Sequence, residues 1–170
     1  MVILGLDVST TCVGYAFTEN KKILDMGFID IKKQSTPKEK TFYVLEYLSK
    51  NKYIDKIEKI NIEDNLSGFA GGRTSQQVIV KLAKFNAILG FIIEEEFGVE
   101  VENINPMTAR KKVFGKARVK GVKSKDYVKM KIEESYDTKK WCKTTTRGNW
   151  DKRNIDAYDG LVMALFEKSS

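Results

Sequence analysis

The sequence predicts an α/β fold in which a five-stranded mixed sheet, three antiparallel strands and then further strands reached through helices, is flanked by helices. Three observations predict it. Short apolar, β-prone runs fill residues 2–31 and are separated by polar turns. Longer stretches with apolar residues at helical spacing come later, and two more β-prone runs lie between them. Strands that alternate with helices in this way belong to a sheet covered on its faces.

Taken in order, "VILGLDV" and "VGYAFTEN" are two strands, "KKILDMGFIDI" is a third, and Glu19 to Lys22 form the hairpin turn between the last two. Ser35, Thr36 and Pro37 open a helix with Phe42, Leu45 and Leu48 on one face. In "KIEKINIED" Ile57, Ile60 and Ile62 partly alternate, which makes a fourth strand, sets Glu63 opposite Ile62 and turns Asp64 to solvent. The loop "NLSGFAGGRTSQ" supplies Thr74 or Ser75 as a cap for a helix from Gln76 to Phe97. Val78, Leu82, Phe85, Leu89 and Ile92 form its stripe, and Ile79, Ile88 and Phe91 widen it. Such a helix needs cover on more than one side, from the sheet and from a second copy of the chain. "VEVENINP" is a fifth strand, "MTARKKVF" a short helix, and "GKARVKGVK" a basic mobile loop. Ser124 caps a helix through Tyr136, "DTKKWCKTTTRGNWDKR" is a long polar connection, and Asn154 to Lys168 is the last helix.

A chain of 170 residues suits one domain, 1–170. No segment reaches the roughly 18 uninterrupted apolar residues of a membrane span, and the N-terminus lacks the basic start of a secretory leader. A soluble cytoplasmic protein without a membrane partner is expected. Cys12 and Cys142 stand far apart and outside any paired motif, which argues against a zinc cluster or a disulfide framework. Histidine is absent, so a Ser-His-Asp triad and His-ligated metal sites are excluded. The net charge of +7 is uneven: residues 105–153 hold sixteen Lys and Arg against five Asp and Glu. A localised basic face of this kind fits a polyanion, most simply nucleic acid.

Four acids occupy informative places. Asp7 ends the first strand, Glu63 ends the fourth, and Asp156 and Asp159 sit three apart in "NIDAYDGLVMALF", on one face of a helix. If the first and fourth strands are neighbours, Asp7 and Glu63 lie side by side, and a helix over that edge brings in the other two. Converging carboxylates repel unless a hard cation neutralises them. Oxygen-only ligands suit Mg²⁺, with Mn²⁺ as a substitute, and a pair of such ions cleaves phosphodiesters. Taken singly, Asp7 could instead cap the turn at Ser9 and Thr10, and Asp156 could serve a helix dipole.

The stretches "ILGLDVSTTCVGYAF", "INIEDNL", "VKLAKFNAILG", "PMTARKKVFGK", "KSKDYVKMKIEES" and "NIDAYDGLVMALF" resemble, in order and spacing, the RuvC-type Holliday junction resolvases, and most of all their phage-encoded branch. The resemblance implies an RNase H-like nuclease fold and a homodimer packed through the long apolar helix. It also implies paired nicks across branched DNA in recombination, repair or phage DNA processing, in the cytoplasm of a bacterium or an infected host. Asp7, Glu63, Asp156 and Asp159 match the catalytic metal ligands, with two Mg²⁺ per site and no nucleotide cofactor. Arg110 and Lys125 fall at the family's functional basic positions, and Lys111, Lys116 and Arg118 lie in the matching basic segment for DNA binding. Position 66, which carries a junction-engaging aromatic in the family, is leucine here, and Phe69 is the nearest aromatic.

Other classes fit less well. The strand "GLDVSTTCVGYAF" also suits an ATPase of the actin and sugar-kinase class, but that class needs a second lobe and a much longer chain. An RNA-processing nuclease of the same fold begins with a similar strand, although the basic segment and the Asp-x-x-Asp helix favour DNA. A silent nucleic-acid-binding module would keep the basic face and lose the acids.

Overall fold

The computed structural model describes residues 1–64 and 76–168. Three antiparallel strands open the chain: β1 (Val2–Val8), β2 (Cys12–Glu19) and β3 (Lys22–Asp30). Asn20 and Lys21 make the predicted β2–β3 turn, both at positive φ. Helix α1 (Pro37–Ser49) begins on a capping box, where Thr36 accepts from the Glu39 amide and Glu39 reaches back to the Thr36 amide. Its buried face is Thr41, Val44, Leu45 and Leu48, so Phe42 belongs to the exposed side. β4 (Ile57–Glu63), α2 (Gln76–Phe97), β5 (Val101–Ile104), α3 (Pro106–Phe114), α4 (Ser124–Ser135) and α5 (Asn154–Leu165) follow.

The strand order is β3-β2-β1-β4-β5, with β4 parallel to β1 and β5 parallel to β4. This is the predicted mixed sheet. It divides the core in two. One face packs against α1 and α2 through Leu4, Leu6, Phe17, Ile60, Ile62, Phe85 and Leu89. The other packs against α5 and α4 through Ala16, Val128, Ile132, Tyr158, Leu161 and Val162.

Helix α5 lies directly on the sheet because two strand positions carry no side chain. A methyl at Gly5 would overlap the Gly160 and Ala164 backbone, and one at Gly14 would overlap the Asp156 carbonyl. The other end of α5 is pinned by Asn61, which donates to the carbonyls of Met163 and Phe166, and by Thr18, which donates to Ala164. Those bonds meet the unpaired carbonyls of a helix C-terminus, and α5 stops at Leu165 rather than continuing to Lys168.

Two further sequence expectations need adjusting. Ser124 is not a cap: α4 starts on Lys123 without a side-chain cap bond, and the Ser124 hydroxyl accepts from Arg110. The buried stripe of α2 is Leu82, Phe85, Asn86, Leu89 and Ile93, while Val78, Ile88 and Phe91 are exposed. By length and hydropathy α2 alone would also suit a membrane span, but this core-packed stripe ties it to the sheet. Leu66, Phe69, Thr74 and Ser75 lie outside the described residues.

Candidate active site

Strand β1 delivers Asp7 to the C-terminal end of the sheet. The parallel register pairs Leu6 with Ile62, and its next step sets Glu63 beside Asp7. The turn after β1 is closed by Ser9, whose Oγ accepts from the Cys12 amide at 3.0 Å and donates to the Cys12 carbonyl at 2.8 Å. Asp7 is therefore not needed as the turn cap. The close approach at Gly14 brings the first turns of α5, with Asp156 and Asp159, over the same edge.

The four acids gather closely enough that three of them are shifted. Burial, followed by the charges of Glu63, Asp159 and Asp156, pushes the Asp7 carboxyl well above the ordinary carboxylate range. Burial and the charge of Asp159 raise Glu63 to about 7, although Arg110 and Lys125 oppose the shift. Asp159 is also raised, because burial outweighs the pull of Arg110.

Two cations answer part of this charge. Arg110 Nη2 donates to Asp159 Oδ1 at 3.0 Å, and Arg110 Nη1 donates to Ser124 Oγ at 2.5 Å. Arg110 and Asp159 are only 9% and 4% exposed, so Arg110 faces inward to hold an acid. Lys125 Nζ stands 3.5 Å from Asp156 Oδ1 on the solvent side. Burial works against its charge, but Asp156, Asp159 and Asp7 overcome that and raise its pKa. Lys111, Lys116 and Arg118 are exposed on α3 and the segment after it, where the Tyr127 hydroxyl donates to the Lys116 carbonyl.

Among the described residues, no three acidic or cysteine side chains are grouped closely enough to hold a metal ion in this arrangement. The donor set nevertheless fits a hard cation: all donors are carboxylate oxygens, and burial and mutual repulsion hold Asp7, Glu63 and Asp159 above the ordinary carboxylate range despite the two basic groups.

Sequence reasoning missed three supporting residues. Cys12 is buried beside the acid cluster, and burial followed by the charge of Asp156 pushes its thiol pKa far up. Asn86 donates from Nδ2 to the Glu63 carbonyl at 3.2 Å and fixes the end of β4. A lone amide on an otherwise apolar stripe was the available signal. Gly14 is the third, and its role became visible only once β2 was paired and α5 was laid across it.

The sheet order, with three antiparallel strands, two parallel ones and a helix seated across β1 and β2, defines an RNase H-like fold. Among solved structures the chain is similar to the Thermus thermophilus RuvC structure, at TM-score 0.63 and 16% identity over 97% of this chain and 92% of that one. It is similar to T. thermophilus RuvC in complex with Holliday junction substrate, at TM-score 0.62 and 14% identity over 97% and 90%. The yeast mitochondrial Holliday junction resolvase Ydc2 aligns at TM-score 0.59 and 13% identity over 96% and 75%. The chain thus has a RuvC-like resolvase fold. No protein-family profile and no curated protein sequence matches it.

Proposed function

We propose that the chain is a single metal-dependent endonuclease domain that nicks branched DNA, four-way junctions above all, as a homodimer. The observation that carries this reading is the convergence of Asp7, Glu63, Asp156 and Asp159 from three elements at one sheet edge, bordered by Arg110 and Lys125. The fold likeness to junction resolvases supports it, and so does the basic composition of residues 105–153.

The four carboxylates would hold Mg²⁺ or Mn²⁺, one ion or two. When bound, such ions activate water and stabilise the leaving oxygen of a phosphodiester. The chain itself positions the donors. Arg110 holds Asp159 and Asn86 holds the backbone of Glu63, so two of the four acids are kept in place from behind. Lys125 is the one of the two basic groups that reaches solvent, where it can meet a phosphate oxygen of the strand being cut. In-line attack by water leaves 5′-phosphate and 3′-hydroxyl ends, and no protein nucleophile is required.

The dimer is supported by the second face of α2. Val80, Ile88 and Phe91 are exposed there, Phe91 to 66%, although Leu82, Phe85 and Leu89 on the same helix are buried. A second copy seated on that face would remove the apolar surface from water. The test is purified protein with Mg²⁺ against four-way, three-way, forked and duplex DNA and structured RNA. Symmetric paired nicks confined to the four-way junction support the reading, and preferential cleavage of RNA contradicts it.

A further inference from the structure

The connection between α4 and α5 is built, not slack. Thr144 and Trp150 form an antiparallel bridge, the Thr145 amide donates to the Asn149 carbonyl at 2.7 Å, and Gly148 turns the tip at φ 77. Its base is fixed by Asn154, which donates to the Lys143 carbonyl at 2.8 Å and accepts from the Lys143 amide at 2.9 Å. Arg153 ties the same base to Asp151 and to Asp30 at the end of β3.

Residues 137–153 hold six Lys and Arg against two Asp. Asp151 is taken up by Arg153. Among the described residues, Lys139, Lys140, Lys143, Arg147 and Lys152 form no ion pair, and apart from the partial cover that aromatic rings give Lys140 and Lys143 they present charge to solvent.

This charge stands beside the acid cluster. Asp7 pairs with Gly14 across β1 and β2, and Gly14 pairs with Phe28 across β2 and β3, so the row of Glu63 and Asp7 continues to Phe28. Cross-strand partners share a face, and Gly14 lies under Asp156, so Phe28 is on the acid side of the sheet. Lys143 and Arg153 both cap the Phe28 ring, at 4.6 Å each. Two strand spacings put that ring about 10 Å from Asp7 along the sheet. At a rise of about 3.4 Å per nucleotide, this is roughly three nucleotides of a DNA strand. Arg110 and Lys125, from α3 and α4, pair with Asp159 and Asp156 themselves.

We propose that residues 137–153 form a second DNA-docking element, with Lys143 and Arg147 contacting backbone phosphates of the arm that leaves the acid cluster toward β3. This rests on the nuclease reading above. The scissile strand then runs between two basic walls, the α3–α4 segment and this hairpin, and the hairpin sets the direction in which one arm departs.

The test measures binding of a fluorescein-labelled four-way DNA junction by Asp7→Asn protein, without divalent metal, over a range of salt. Adding Lys143→Ala and Arg147→Ala lowers affinity about tenfold and makes the log–log salt slope shallower by about two, near 0.9 per lost phosphate contact. Lys52→Ala with Lys56→Ala removes equal charge beside the start of β4, the end of the sheet away from Glu63, and leaves the slope unchanged. Benzophenone placed at Thr146 crosslinks to the junction arm. The proposal is overturned by an unchanged slope in the hairpin variant, by an equal loss in the control pair, or by no crosslink. If the Asp7→Asn parent fails to bind the junction at all, the nuclease reading falls with it.

Discussion

Arg110 on α3 reaches Asp159 on α5, Nη2 to Oδ1 at 3.0 Å, in a nearly buried ion pair that links the basic segment to the acid cluster. Breaking such a pair leaves a buried charge without its partner. Arg110→Ala is expected to destabilise the protein by about 3–5 kcal/mol, measured by urea unfolding without metal. Adding Asp159→Asn to Arg110→Ala should restore part of that loss, because no uncompensated carboxylate then remains.

The raised carboxyls make stability depend on pH. Asp7, Glu63 and Asp159 are held above their unfolded values, so the folded protein binds more protons than the unfolded chain. Their penalty is absent below the ordinary carboxylate range and grows as pH rises, for Glu63 until about 7. Without metal, the Tm is expected to fall by several degrees between about pH 5 and about pH 8, since 1 kcal/mol is worth roughly 2–4 °C at this chain length. Millimolar Mg²⁺ should cancel most of that fall, and Asp7→Asn should lessen it, both read by differential scanning calorimetry.

Gly14→Ala places a methyl against the Asp156 carbonyl. Helix α5 must then move away from β2, at a cost of about 1–3 kcal/mol typical of overpacking. Cleavage should drop more than stability, since the same shift carries Asp156 and Asp159 away from Asp7. Junction cleavage rates compared with urea midpoints check the order.

Phe91→Asp on the exposed face of α2 should give a monomer by analytical ultracentrifugation while leaving the fold intact, because Phe91 is 66% exposed in the single chain. Paired nicking should give way to slow single nicks. A variant that sediments like the parent would remove α2 as the dimer face.

The fold was largely legible because its strands and helices carry their own periodicity. Val2–Val8 and Gln76–Phe97 were readable from apolar spacing and flanking polar residues. The acids were legible as a set, since strand ends and a three-residue spacing are sequence properties. What holds them was not. The Arg110–Asp159 pair, the Asn86 bond to Glu63 and the contact at Gly14 join residues far apart in the chain, and they exist only after β4 is seated beside β1 and α5 is laid across β1 and β2. Ser124 misled for the same reason: it has the chemistry of a helix cap, but its hydroxyl is engaged by Arg110. On α2, hydrophobicity alone could not separate Phe85, buried in the core, from Phe91, exposed on the opposite side.

The most direct measurement is cleavage of a labelled four-way junction by the parent protein and by Asp7→Asn, with Mg²⁺ and with chelator. The expected result is symmetric paired nicks at the junction by the parent with Mg²⁺ only, and no cleavage by Asp7→Asn, which still binds the junction. Cleavage by Asp7→Asn at the parent rate, or by the parent in chelator, would contradict a carboxylate-held metal as the centre of the chemistry.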